Sequence, residues 1–158
     1  MDREEFKDLG HQIIDWIDRY MEKGYDGPVS PVGLEPGDLL ARLPEEPPVL
    51  AESGQQVFED FRSMILPGVT HWNDPRFFGY FPCNNSRPGT LGDLLGSGLG
   101  VNCMSWATSP AGTELEIRML EWLGKMIGLD WPGCIQDTAS TGTLVAVLSA
   151  REKMAPIN

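Results

Sequence analysis

The residue types best suited to chemistry lie close together in CIQDTASTGTLVAVLSAREK, residues 134–153. Cys134 and Ile135 read as the end of a buried strand, and small hydroxyl residues follow at Thr138, Ser140, Thr141 and Thr143. Leu144, Val145, Val147 and Leu148 then give a helical apolar period that closes with Arg151 and Lys153. A strand, a turn of small residues and a helix bring several free backbone N–H groups to one point. The positive end of the helix dipole lies there too, so the chemistry on offer is the binding of an anion, phosphate above all. Ala139 and Gly142 let a ligand come close to the backbone, and the flanking hydroxyls can donate further hydrogen bonds. An ordinary capped helix after a strand has the same composition.

A second concentration is THWNDPRFFGYFP, residues 70–82, which gathers five aromatic side chains in an extended, Pro-bounded segment. Such a cluster is either a plug of core or a wall against which a substrate lies. Pro75, Gly79 and Pro82 make it a loop, and loops on rigid scaffolds often carry recognition. His71 is expected to be a buried, hydrogen-bonded histidine, and Lys125 a surface charge near a helix C-terminus and not a catalytic amine.

These segments need elements to position them. Residues 2–23 read as an amphipathic helix with Phe6, Leu9, Ile13, Ile14, Ile17, Tyr20 and Met21 on one stripe, Asp2 as cap and Gly24 as exit. GPVSPVGLEPG is a surface connector, followed by a short helix around Gly37–Arg42 and the break PEEPP. SGQQVFEDFRSMIL gives a second helix, with Ser53 and Gln56 at capping-box spacing and Val57, Phe58, Phe61, Met64 and Ile65 on its buried face. Helix, connector and helix together look like an arm that packs on something else. From Pro88 to Gly100 a helix rich in glycine implies close backbone packing, plausibly at a subunit interface, since each glycine costs roughly 1 kcal/mol in propensity. A helix capped by Thr113, with Glu114 and Glu116 in its first turn, runs to Gly128.

A chain of 158 residues is long enough for one domain with a core, and 41% hydrophobic with 22% charged residues is ordinary for a globular protein. The net charge of −11 argues against nucleic acid and anionic membranes, both of which select basic faces. Three cysteines without CxxC spacing and two histidines, His11 and His71, offer no structural zinc site. Reduced thiols in a cytoplasmic protein are the simplest account, and no apolar run reaches membrane-spanning length. One physical point limits the rest. Cys134–Gln136 is the sole candidate for a central parallel strand, and a strand alone orphans its backbone groups at about 1–3 kcal/mol for each one buried. The chain therefore reads as the front of a larger α/β domain whose other strands come from elsewhere.

Taken together, THWNDPRFFGYFP, SWATSPAGTELEIRMLEWLGKMIGL and IQDTASTGTLVAVLSAREK resemble the pyridoxal-phosphate-dependent aromatic L-amino acid decarboxylases of the group II decarboxylase family. Order and spacing match as well, over nearly the whole chain. The resemblance implies an α/β fold-type-I transferase-like enzyme of the aspartate aminotransferase class, a cytoplasmic homodimer. Residues 1–82 would be its helical arm and substrate-wall loop, and 83–158 the beginning of the large cofactor domain. It implies that Thr138, Ala139 and Ser140 hold the phosphate of pyridoxal 5'-phosphate, mainly through main-chain N–H groups and the Ser140 hydroxyl. Trp72, Tyr80, Phe81, Pro82 and Cys83 match its substrate pocket, as do Asn102 and Met104, which would reach in from the partner subunit. Relatives usually carry Thr or Ala at the Cys83 position and apolar or aromatic residues at the other two, so an indole, a phenol or an imidazole could each be the preferred side chain.

The family's lysine for the cofactor aldehyde, aspartate at the ring nitrogen, ring-stacking histidine and mobile-loop tyrosine have no match here. Lys7, Lys23, Lys125 and Lys153 lack the lysine's context, so this chain alone is expected to be inactive. Three readings follow: the N-terminal segment of a decarboxylase that releases an amine and CO2, an aromatic aldehyde synthase of the same family, or a truncated, non-catalytic dimerisation module.

Overall fold

The computed structural model describes residues 1–81, 85–129 and 132–154. They form five α-helices: α1 (Arg3–Lys23), α2 (Gly54–Asp60), α3 (Arg87–Leu99), α4 (Pro110–Ile127) and α5 (Ala139–Met154). No strand occurs among the described residues. The expected strand at Cys134–Gln136 is instead irregular chain, which corrects the α/β expectation for this segment to an all-helical one. The physical reason is the one that limits the sequence: a parallel strand exists only when neighbours take up its N–H and C=O groups, and the described residues supply none. The helices form two compact units, Met1–Gly92 and Asp93–Asn158, with the division falling inside α3.

In the first unit, α1 starts where Asp2 accepts hydrogen bonds from Glu4 N at 2.8 Å and Glu5 N at 2.9 Å. It stops where Gly24 takes φ 73° and donates to Tyr20 O. Trp16 on α1 meets Phe58 and Phe61 edge-on, at centroid distances of 6.4 and 5.3 Å, which fixes α1 against α2 and the turn after it. Ser53 caps α2 by accepting from Gln56 N, but the Gln56 side chain donates forward to Asp60, so the expected capping box is half formed. After Asp60 the chain winds wider over Phe61–Ile65 and tighter over Leu66–Gly68. Val57 is exposed, whereas Phe58, Phe61, Met64 and Ile65 are half-buried as expected.

In the second unit, α4 begins earlier than expected. Ser109 caps it by accepting from Gly112 N, and Pro110 occupies the first helical position, so Thr113, Glu114 and Glu116 lie inside the helix. At its end Leu129 N donates to Gly124 O at 2.8 Å, folding the chain back so far that a side chain at residue 124 would meet the Leu129 carbonyl at 2.6 Å. Gly92, Gly96, Gly98 and Gly100 have open space around them, so the close backbone packing expected of this helix is not made among the described residues.

Length alone would have allowed a core, but Leu9 is the one buried apolar side chain among the described residues. Phe78 and Phe81 are more than nine-tenths exposed, and most of the apolar residues of α3, α4 and α5 face outward. Uncovered apolar area on this scale is unusual for a protein surface that faces water alone.

Candidate functional site

The turn before α5 holds the first set of expected residues. The Thr138 hydroxyl accepts from Thr141 N at 3.2 Å, while the Thr141 hydroxyl accepts from Thr138 N at 3.1 Å. This is a capping box built from two threonines, and it fixes the first turn of the helix. Thr143 Oγ1 donates to Ala139 O at 2.8 Å, and Gly142 N donates to Thr138 O at 2.9 Å. The N–H groups of Ala139 and Ser140, by contrast, have no acceptor among the described residues, and neither does the Ser140 hydroxyl. Two adjacent amides and a hydroxyl are thus left open at the positive end of a 16-residue helix. That donor set fits a phosphate, and those are the groups that would hold it.

The turn carries one feature that the sequence reading missed. The Asp137 carboxylate accepts from the Thr141 hydroxyl, and this bond holds its pKa below the ordinary carboxylate value. A negative charge therefore stands next to the open amides, tied to a threonine. Five residues with four short polar side chains, DTAST, were the available signal. Gly142 is not demanded by crowding, since an added Cβ would meet Gln136 only at ordinary contact distance.

The second set lies on the loop after residue 66. Trp72 stacks on Tyr80, with ring centroids 5.5 Å apart and planes at 19°, and tilts against Phe77 at 5.0 Å. Tyr80 takes φ 53°, a left-handed conformation that costs a residue with a side chain roughly 1–2 kcal/mol. The loop thus brings Trp72 and Tyr80 together as a two-ring face, while Phe81 projects free and is 95% exposed. Pro82 and Cys83 lie outside the described residues. A cleft of about 550 Å³ opens beside the loop, lined by Tyr20, Lys23, Asn73, Asp74 and Arg87 and by none of these aromatic rings. Asn102 and Met104, in the second unit, are exposed, and Asn102 Oδ1 accepts from Met104 N at 2.9 Å.

Next to Trp72 in the chain is the most buried side chain described, His71, at 1% exposure. Its Nδ1 shares a hydrogen bond of 2.8 Å with the Tyr20 hydroxyl, its ring stacks on Tyr25 at 4.1 Å, and its N–H donates to Val29 O. This is the buried, hydrogen-bonded histidine that the sequence led one to expect. Asp74, 6% exposed, takes two hydrogen bonds from the Arg76 guanidinium, and Arg76 reaches on to Gly27 O at 3.0 Å. An Asp and an Arg two residues apart in a Pro-bounded loop were the only hint of this clamp.

The clamp makes the first unit sensitive to acid. Burial pushes the His71 pKa below its ordinary 6.5, with nearby Asp74 opposing in part, and burial likewise raises that of Tyr20. Hydrogen bonds from the Arg76 side chain and then its backbone hold Asp74 down at about 2. Both groups have folded pKa values below their unfolded ones, so both contribute stability at neutral pH that is lost on acidification. The His71 part begins to fade as pH falls through 6.5, and the Asp74 part fades between 3.8 and about 2. The thermal midpoint followed by near-ultraviolet circular dichroism is expected to fall in two stages over these ranges. A midpoint that stays flat down to pH 4 would remove His71 from the account.

Comparison with known proteins follows the same residues. The sequence profile described as the pyridoxal-dependent decarboxylase conserved domain matches residues 36–157. The aromatic-L-amino-acid decarboxylase of Rattus norvegicus is 44% identical over 165 aligned positions, covering 98% of this chain and 34% of that protein. The phenylacetaldehyde synthase of Arabidopsis thaliana is 42% identical over 162 positions, covering 98% of this chain and 33% of that protein. The crystal structure of Catharanthus roseus tryptophan decarboxylase in complex with L-tryptophan superposes with a TM-score of 0.87 at 33% identity, over 98% of this chain and 34% of that one. The chain spans about a third of the length of the curated relatives it matches.

Proposed function

The chain belongs to the pyridoxal-dependent decarboxylase family, and from that premise we propose that the protein removes the carboxyl group of an aromatic L-amino acid with pyridoxal 5'-phosphate as its cofactor. The observation that carries this reading is the open pair of amides at Ala139 and Ser140, which lies inside the matched range 36–157. Ala139 N–H and Ser140 N–H donate to the cofactor phosphate, the Ser140 hydroxyl adds a third donor, and Thr138 keeps the turn in shape through its bonds to Thr141. Charge-assisted bonds of this kind contribute roughly 1.5–3 kcal/mol each. When bound, the cofactor supplies the electron sink that accepts the pair left by the departing carboxylate. Trp72 and Tyr80 form a flat apolar face for the substrate's ring and exclude water from it. By the family resemblance, Phe81, Pro82 and Cys83, with Asn102 and Met104 contributed from a partner subunit, would set which ring is preferred. The polar Asn102 and flexible Met104 leave room for an indole, a phenol or an imidazole.

The finer architecture belongs to the same proposal. It is a fold-type-I enzyme in which residues 1–82 form an arm and 83–158 open the large cofactor domain. It assembles as a homodimer that buries the exposed apolar faces of α3, α4 and α5, and it works in the cytoplasm. No helix among the described residues is long and apolar enough to cross a membrane. Lys7, Lys23, Lys125 and Lys153 all lack the setting of the family's cofactor lysine. A second reading is favoured by the similar identities of a decarboxylase and an aldehyde synthase, 44% and 42%. In it the products are an aldehyde, CO2, ammonia and hydrogen peroxide, formed at the expense of O2 and one water.

The test is to supply the complete protein with pyridoxal phosphate and L-tryptophan, L-tyrosine, L-phenylalanine or L-histidine and to identify the products. Amine and CO2 in equal amounts are expected. Aldehyde with peroxide would establish the second reading, and no turnover with any of the four amino acids would overturn both.

A further inference from the structure

We propose that His71 is a positioning residue: its contact with Tyr20 sets the direction in which Trp72 presents its indole, and so how tightly the two-ring face grips an aromatic substrate. The inference rests on the reading of Trp72 and Tyr80 as substrate wall. It adds a cause for their orientation that lies on a different element, α1.

His71, 1% exposed, and Trp72, 42% exposed, are joined by one peptide bond, so a backbone rotation that moves one ring moves the other. The imidazole is fixed at its edge by the Tyr20 hydroxyl, at 2.8 Å, and at its face by Tyr25, whose ring lies 4.1 Å away at 20°. The backbone on either side is tied as well. His71 N donates to Val29 O at 2.8 Å, Asp74 N donates to His71 O at 3.0 Å, and Phe77 N donates to Asp74 O at 2.9 Å. Trp72 N donates to Thr70 O at 3.1 Å, across His71, and its ring stacks against Phe77 at 5.0 Å and Tyr80 at 5.5 Å. The orientation of the exposed indole therefore follows in part from a backbone that the buried imidazole anchors.

One detail argues that the imidazole is retained for direction rather than for burial alone. His71 Nε2 is buried without a hydrogen-bond partner among the described residues. An apolar ring in the same space would avoid that orphaned nitrogen, since buried polar groups without partners are unfavourable. What an apolar ring cannot do is bond the Tyr20 hydroxyl. The directional contact is the feature that distinguishes histidine at this place, and Tyr20 is its other half.

The experiment uses Tyr20→Phe in the complete protein with its cofactor, because it deletes the directional bond and keeps the ring. The readouts are the equilibrium affinity for a non-reactive aromatic acid, indole-3-propionate, by calorimetry, the KM and kcat for aromatic L-amino acids, and the affinity for pyridoxal phosphate. Trp72→Ala serves as the reference. Expected for Tyr20→Phe is a weakening of indole-3-propionate binding by about tenfold, with a matching rise in KM and unchanged affinity for pyridoxal phosphate. If Trp72→Ala weakens binding but Tyr20→Phe does not, the positioning role is overturned and the wall stands. If Tyr20→Phe loosens pyridoxal phosphate as much as the aromatic acid, the bond is structural only and the role is again overturned. If Trp72→Ala itself changes nothing, the wall reading fails and takes this inference with it.

Discussion

Replacing Ala139 with aspartate in the complete protein is expected to weaken its hold on pyridoxal phosphate by about 10- to 100-fold, the equivalent of losing one charge-assisted hydrogen bond. The added carboxylate would stand at the first position of α5, beside the open amides of residues 139 and 140 and close to the carboxylate of Asp137. Two negative charges would then stand at the turn where now there is one. The helix itself should not suffer, because an acidic residue in the first turn interacts favourably with the helix dipole. Affinity and helix stability are thus expected to move in opposite directions, which separates a local charge effect from misfolding. Equilibrium titration of the cofactor measures the first and thermal unfolding the second. Ala139→Asn, similar in size and uncharged, should recover most of the affinity. Equal cofactor binding by the aspartate variant and the parent would remove the turn from the site.

His71→Ala is expected to destabilise the unit Met1–Gly92 by about 2–3 kcal/mol. The substitution removes the ring stacked on Tyr25 and leaves the Tyr20 hydroxyl without its partner, in a region where little else is buried. The loss is expected to fall toward the lower part of what truncating a large buried ring costs, because the unpaired Nε2 disappears with it. Denaturant unfolding followed by the near-ultraviolet signal of Trp16 and its neighbours should show a lower midpoint with an unchanged slope. A loss below about 0.5 kcal/mol, the size of an ordinary surface change, would mean that the loop is held by Arg76 and the backbone alone.

Local physics explains why so much of the chain was legible beforehand. Asp2, Gly24, Ser53 and Gly128 act at helix ends through bonds that reach no further than a few residues, so their roles can be read without knowing the fold. The open amides at Ala139 and Ser140 are of the same kind, since any helix leaves its first N–H groups unpaired. His71 was legible as buried because a lone histidine in an aromatic, Pro-bounded loop has few alternatives. Where the α4 cap was misplaced, the error was local too: Pro110 pre-sets the first helical position, and Ser109 takes the cap before Thr113 can.

What the sequence by itself determined is therefore the helices, the turn of open amides before α5 and the family, all of which rest on residues near one another in the chain or on long matched stretches. Tertiary structure alone decided that Tyr20 and Tyr25 enclose His71, that Arg76 ties the loop to Gly27, and that Cys134–Gln136 stays irregular among the described residues. The first two join residues some fifty positions apart, and no periodicity encodes which of many distant partners will be reached. The third turns on hydrogen bonds to neighbouring strands, a property of the surroundings and not of the segment itself.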